Sequence, residues 1–265
     1  MLIDVHSHLD HPLLRDRIGE IVTNARNSKL RHIITNGIDP QTNRISLELS
    51  KRYDIIECGL GIYPRSHLRK EVEQGYTNVN PVFNFDEEIE FIRGNKNNFI
   101  AISEVGLDFS EGENSEQIMD FERLISLAEE LKKPIVVHSR KAEQKAVEVL
   151  ESYNFKKIVM HCFCGRKSLV KRIMDNGWFF SIPATIVRAE QFQMIVNEVP
   201  ITQLFCETDS PFLSPYKDTK TVNEPSFVVE SYKKIAEIKK MDFDEVVNNI
   251  YMNWQRVFIS NQESL

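Results

Sequence analysis

The stretch Phe99–Ser139, FIAISEVGLDFSEGENSEQIMDFERLISLAEELKKPIVVHS, reads as one strand–helix–strand unit. Its first apolar run, Phe99–Leu107, carries Glu104 after Ile100, Ala101, Ile102 and Ser103. Across Ser115–Lys132, the residues Ile118, Phe121, Leu124, Ile125, Ala128 and Leu131 recur at the spacing of an amphipathic helix. A second short apolar run, Pro134–Ser139, follows and stops at His138. A strand, a crossover helix and another strand are the repeating unit of a parallel α/β sheet.

The same alternation runs outward in both directions. The other strand candidates are Leu2–His8, His32–Ile38, Ile55–Ile62, Lys157–Phe163, Trp178–Ile182 and Gln203–Thr208. Eight strand–helix units in 265 residues, about 33 residues each, predict a (β/α)8 TIM barrel forming a single domain over residues 1–265. A doubly wound open sheet is the rival. Asp242 followed by Glu245 predicts a capping box opening a helix over Phe243–Phe258. Two connections are long, Pro64–Phe85 and Ser210–Pro225, and in a barrel both lie on the C-terminal face, where loops build sites.

Composition narrows the function. A chain of this length can bury about 73% of its extended surface and needs no staples. No apolar run reaches the roughly 18 residues of a membrane span, and the start, Met1-Leu2-Ile3-Asp4-Val5-His6, lacks the basic and apolar regions of a signal peptide. The four cysteines, Cys58, Cys162, Cys164 and Cys206, are too few and scattered for a disulfide framework and read as small buried residues. These features predict a cytoplasmic protein without a membrane partner. With 33 Lys and Arg against 39 Asp and Glu, the net charge of −6 argues against coating duplex DNA. A locally positive site remains open to it if bound metal ions supply the charge.

The candidate strands end on metal-competent side chains. His6 and His8 stand at i and i+2 and project from one face together with Asp4. Glu104, His138, His161 and the run Glu207-Thr208-Asp209 end the fourth, fifth, sixth and eighth strands. In a barrel these ends converge on one mouth. Four imidazoles and two or three carboxylates exceed the needs of one ion and suit two divalent ions (Mg, Mn or Zn) bridged by a carboxylate and a water. With Glu104 and Asp209 ionised, such a cluster carries +4 − 2 = +2, which attracts an anion and acidifies water.

These pieces resemble the TatD family of metal-dependent deoxyribonucleases, within the amidohydrolase-like barrels. The matching segments are Ile3-Asp4-Val5-His6-Ser7-His8-Leu9-Asp10, Ser103-Glu104-Val105-Gly106-Leu107-Asp108-Phe109, Val137-His138-Ser139-Arg140, Met160-His161-Cys162-Phe163, Glu207-Thr208-Asp209-Ser210-Pro211 and Asn223-Glu224-Pro225. They stand in the family's order over nearly the whole chain. The resemblance implies that His6 and His8 hold one metal, His138 and His161 the other, and that Glu104 bridges. It implies that Asp209 binds the first metal and orients or deprotonates the attacking water, with Glu207 a nearby site carboxylate. Tyr63, in Gly61-Ile62-Tyr63-Pro64, departs from the family's usual His, Val222 from a frequent Arg, and Cys164 from Ser.

Basic residues follow several strands: Arg65, Arg140-Lys141, Arg166-Lys167 and Arg188. Positive charge near a helix N-terminus opposes the macrodipole, which a phosphate partner would offset. Arg140 is the best phosphate contact, with Arg65 and Tyr63 as further substrate contacts. Tyr76, Phe83, Phe85, Phe212 and Tyr216 offer rings for base stacking, although loop packing explains any one of them as well. His11, His32 and His67 have no supporting pattern and read as structural or surface residues.

The favoured reading is a two-metal phosphodiesterase trimming single-stranded DNA ends, without an inferable obligate protein partner. A related barrel hydrolase of ester or amide bonds, such as an aminoacyl-RNA deacylase, is the alternative; many of those bridge their metals with a carboxylated Lys on the fourth strand, where this chain has Glu104. A nonenzymatic binding protein with an inert metal site is the third, against which the intact ligand set argues.

Overall fold

The computed structural model describes residues 1–68, 82–217 and 221–259. Strands β1 (Leu2–Ser7), β2 (Leu30–Asn36), β3 (Ile56–Leu60), β4 (Ala101–Gly106), β5 (Ile135–His138), β6 (Ile158–His161), β7 (Phe179–Pro183) and β8 (Leu204–Glu207) form one sheet. They lie side by side in chain order, each pair parallel. The seam closes just beyond β8. There the Asp209 N–H donates to the His6 carbonyl (2.9 Å) and the His8 N–H to the Ser210 carbonyl (2.8 Å). This is the expected single (β/α)8 barrel, and the joined seam excludes the open sheet. Strand ends differ from expectation by a few residues at most, because apolar runs extend past the last ladder hydrogen bond.

Helices α1 (Pro12–Arg15), α2 (Ile18–Asn27), α3 (Pro40–Arg52), α4 (Phe85–Gly94) and α5 (Ser115–Leu131) fill the first half. Helices α6 (Glu143–Glu151), α7 (Lys167–Asp175), α8 (Glu190–Glu198), α9 (Val229–Lys239) and α10 (Phe243–Trp254) fill the second. Helix α5 starts where the Asn114 side chain accepts from the Glu116 and Gln117 N–H groups, and it buries Phe121, Leu124, Ile125 and Ala128 as its period requires. The capping box expected at Asp242 does not form: its side chain makes no cap bond. Asp244 and Glu245 in the first turn supply the favourable negative charge at that terminus instead. Beyond Trp254 the helix loosens into a π-helical turn, Gln255–Ile259.

Both long connections emerge at the C-terminal mouth. Of the first, Tyr76 lies outside the described residues. The second is tied down by Asn223, whose amide donates to the Thr208 carbonyl (2.8 Å) and to that of Phe212. Among the described residues, no helix is long and apolar enough to cross a membrane.

Candidate metal centre

Strand parity places Asp4, His6 and His8 on one face of β1, and all three are buried. Asp4 Oδ1 accepts from the Thr208 N–H (2.9 Å) and the His6 N–H (3.2 Å), and Oδ2 from the Thr208 hydroxyl (2.6 Å). It therefore staples β1 to the end of β8, and burial pushes its carboxyl well above the usual range.

Above it, the two oxygens of Glu104 face two groups of donors. Oε2 lies 3.4 Å from His6 Nε2 and 3.4 Å from His8 Nε2. Oε1 lies 3.0 Å from His138 Nδ1 and 3.8 Å from His161 Nε2. Asp209 Oδ1 stands 3.7 Å from His6 Nε2 and 3.5 Å from His8 Nε2. Ligand atoms about 2.1 Å from an ion sit about 3.4 Å apart in a tetrahedron, so these spacings match a coordination shell. Three sets of donors converge within 4.8 Å, His6/His8/Asp209, Glu104/His138/His161 and His6/His161/Glu207.

The ring orientations agree. His8 Nδ1 donates to the Asn36 carbonyl (3.1 Å), His138 Nε2 to Asp108 Oδ2 (3.0 Å) and His161 Nδ1 to Glu207 Oε2 (2.9 Å). Each outward nitrogen is held by an oxygen, which fixes the tautomer and aims the other nitrogen's lone pair at Glu104. Neither nitrogen of fully buried His6 makes a regular hydrogen bond. An uncompensated buried imidazole is costly, and a metal ion is a partner of the right chemistry. These residues fit divalent ions.

The same contacts set the charges without ions. Burial opposes charging of every member. It is outweighed at Glu104, whose carboxyl is held well below the usual range by His138, His6 and His8. It is likewise outweighed at His8, raised well above its ordinary value by Asp209 and Glu104, and at His161, raised to about 9 by Glu207 and Asp209. His6 goes the other way, lowered by burial and by neighbouring His161.

The supporting residues escaped sequence reading. Asp108 sat in a quoted motif without a role, yet it holds His138 and accepts from the Tyr63 hydroxyl (3.3 Å) and the Ser110 N–H (3.0 Å). Ser181 of β7 donates to Glu207, which also accepts from the Cys162 N–H (3.1 Å). Glu207 therefore sits behind His161. The signals are faint: a polar residue at a strand end finds its partner only through the register of the neighbouring strand.

The substrate candidates divide. Arg140 stands at the mouth, 57% exposed, with Nε 3.8 Å from Asp108 Oδ2. Tyr63 lines the cavity, but its hydroxyl lies 3.1 Å from His138 Nε2 and the residue is only 5% exposed, too little face for a base to stack on. Arg65 does not reach back over the mouth: its guanidinium bonds Asp120 (2.9 Å) and Glu116 (2.7 Å) on α5, where two carboxylates outcompete a distant phosphate. Arg166, Lys167 and Arg188 are similarly turned to Gln144, Glu198 and the Ser214 carbonyl. Phe85 is buried under Arg65 and Arg123 and Phe83 packs against the core, whereas Phe212 and Tyr216 are exposed. Phe212 meets the His11 ring edge-on at 5.3 Å and Tyr216 meets Phe227. His11 caps α1, His32 stacks on Trp254, and His67 contacts Ser110. Val222 packs at the core margin, Cys58 and Cys206 are buried, Cys162 is half-buried and Cys164 is exposed, against the expectation of four buried thiols.

Two cavities meet over the donors. One of about 580 Å³ extends toward His8, Asp10, His11, Ile38 and Tyr63. The other, about 1390 Å³, extends over Ser110, Ser139, Glu143 and Cys164. His138, Arg140, His161, Asp209 and Phe212 line both.

Comparison with known proteins gives the same direction. Residues 3–259 match the model of a family described as TatD related DNase. The deoxyribonuclease TATDN3 of Homo sapiens is 32% identical over 265 residues, covering 97% of this chain and 94% of that protein. A metal-dependent hydrolase of Methanocaldococcus jannaschii, itself uncharacterized, is 32% identical over 256 residues, covering 97% and 96%. The crystal structure of YJJV, a TatD homologue from Escherichia coli, shares the fold, with a TM-score of 0.84 at 21% identity over 97% of each chain.

Proposed function

Because the chain belongs to the TatD-related DNase family, we propose that it is a two-metal-dependent hydrolase cleaving DNA phosphodiester bonds at accessible single-stranded ends. The observation that carries the reading is Glu104, whose two oxygens face His6/His8 on one side and His138/His161 on the other. Divalent ions bound there would polarise a phosphoryl oxygen and acidify a water.

The chain's own residues do the rest. His6, His8 and Asp209 would hold one ion, His138 and His161 the other, and Glu104 would serve both. Asp209, 14% exposed and kept ionised by His161 and His8 against the effect of burial, is the base that takes the water's proton. Arg140 neutralises the phosphate beside the scissile bond. Glu207 and Asp108 act through His161 and His138 by fixing their rings. The four unpaired cysteines suit a reducing compartment, so the cytoplasm belongs to this reading, which requires no protein partner.

The test is metal-reconstituted protein assayed in parallel on end-labelled single-stranded DNA, RNA and an ester panel, with elemental analysis of Glu104→Ala and His138→Ala. Turnover of DNA is expected, together with loss of both ions from the Glu104 variant and preferential loss of one from the His138 variant. Turnover of esters alone would transfer the chain to the sister hydrolases. A full metal complement in Glu104→Ala would remove the bridge.

A further inference from the structure

Of the large apolar side chains exposed among the described residues, Phe212 alone lines the cavities over the metal donors, and it lines both. Its ring is 41% exposed, yet its backbone is fixed on either side. The Phe212 N–H donates to the Asp209 carbonyl (2.9 Å). The Phe212 carbonyl accepts from the Asn223 amide, which also holds the Thr208 carbonyl (2.8 Å). Asp209 and Leu213, which bracket the turn, have φ of +53° and +51°, the left-handed region that a leucine above all avoids. The turn gives up backbone preference, and what it presents to the mouth is the Phe212 ring.

An exposed ring forgoes the stabilisation of burial. Packing within the loop does not account for this one. His11 and His8 meet it at steep angles, 81° at 5.3 Å and 64° at 6.3 Å, so among the described residues no ring lies flat on it. Tyr216, by contrast, packs on Phe227 and lines neither cavity, and Tyr63 is buried. The mouth therefore offers a nucleotide two handles. Arg140, after β5, carries charge for a phosphate, and Phe212, three strands further round after β8, offers a π-face. Every base has such a face, and base–aromatic stacking tolerates any sequence. In a duplex the neighbouring pairs cover both faces of an internal base, whereas an unpaired strand can turn one to the ring.

We propose that Phe212 positions the strand for cleavage by stacking on the base of a nucleotide beside the scissile phosphate. The inference rests on the DNA reading above, and it gives the preference for single strands a physical origin.

The test uses full-length, metal-reconstituted protein and single-stranded oligonucleotides. Phe212→Ala is expected to raise KM about 5- to 100-fold, the loss of one base unstacked from one ring, and to leave kcat within about threefold, since the contact is made equally in ground and transition states. Phe212→Tyr and Phe212→Trp keep a flat ring and should bring KM back to within about threefold of wild type, whereas Phe212→Leu, apolar but without a π-face, should not. The Trp variant also gives a readout independent of turnover. Trp178 and Trp254, the chain's two tryptophans, are buried, so a third at position 212 reports on the mouth. Its fluorescence should be quenched by single-stranded DNA and less by the same sequence as a duplex. An unchanged KM in Phe212→Ala, or fluorescence unmoved at a DNA concentration that saturates turnover, would overturn the stacking while leaving DNA cleavage standing. A fall in kcat with lost metal at unchanged KM would make the ring a support of the Asp209 turn and overturn it likewise. Wild type that neither cleaves nor binds DNA would overturn the DNA reading and the stacking with it.

Discussion

Tyr63 shows how one residue's role changes once its neighbours are known. A phenol at that position reads from the sequence as a substrate contact, yet its hydroxyl is engaged with Asp108 Oδ2 (3.3 Å) and lies 3.1 Å from His138 Nε2. It helps to hold the imidazole whose Nδ1 faces Glu104. Partners of a ligating histidine typically carry a 10- to 100-fold share of metal affinity. Asp108 remains in Tyr63→Phe, so the lower end applies: about tenfold weaker retention of one ion. The ring's packing is kept, so thermal stability should hardly move. Competition against a chelator reads the affinity directly. A Phe variant that holds both ions as tightly as wild type would reduce the phenol to packing.

At the scale of elements, the junction of β4 and β5 leaves no room for a side chain. Gly106 has φ +144°, and a Cβ there would meet the His138 carbonyl oxygen at 2.0 Å. Backbone offers no rotamer to yield, so Gly106→Ala should cost about 2–6 kcal/mol from strained dihedral and overpacking together. It should also displace His138 from Glu104. Urea unfolding with metal analysis measures both, and a loss below about 1 kcal/mol with full metal content would contradict this. The glycine was visible in the sequence, but its reason was not, since that lies across the strand pair. The same division runs through the molecule. Strands ending in His6, His8, Glu104, His138 and His161 were legible because burial and side-chain parity follow from alternation along one strand. Asp4 with Thr208, Glu207 with Ser181 and Asp108 with Tyr63 were not, because each pair joins different strands or loops whose register only folding sets. Arg65 was misplaced for a related reason: its partners, Glu116 and Asp120, belong to a helix some 50 residues on.

At the scale of the whole molecule, the chain is acidic, with net charge −6, yet it concentrates ionised imidazoles at its mouth when no ion is bound. Burial works against those charges, but Asp209 and Glu104 raise His8, Asp108 and Glu104 raise His138, and Glu207 and Asp209 raise His161 to about 9. Histidine ligates only when neutral, so metal uptake near neutral pH must expel protons. Apparent affinity should therefore climb from the ordinary histidine value of 6.5 and level off above about 9. The stability of the metal-free chain should move the opposite way. A histidine raised on folding contributes stability that is complete below its unfolded value and lost as pH rises through its folded one. His161 thus stops contributing by about pH 9. Glu104, held low, contributes above the usual carboxylate range and fails only as strong acid protonates it. Calorimetric titration with a divalent ion in two buffers of different ionisation enthalpy counts the protons released. Unfolding of chelated protein across the same pH range follows the second effect. Affinity that stays flat between pH 6.5 and 9 would mean that the imidazoles are already neutral and that Glu104 and Asp209 do not hold their charge.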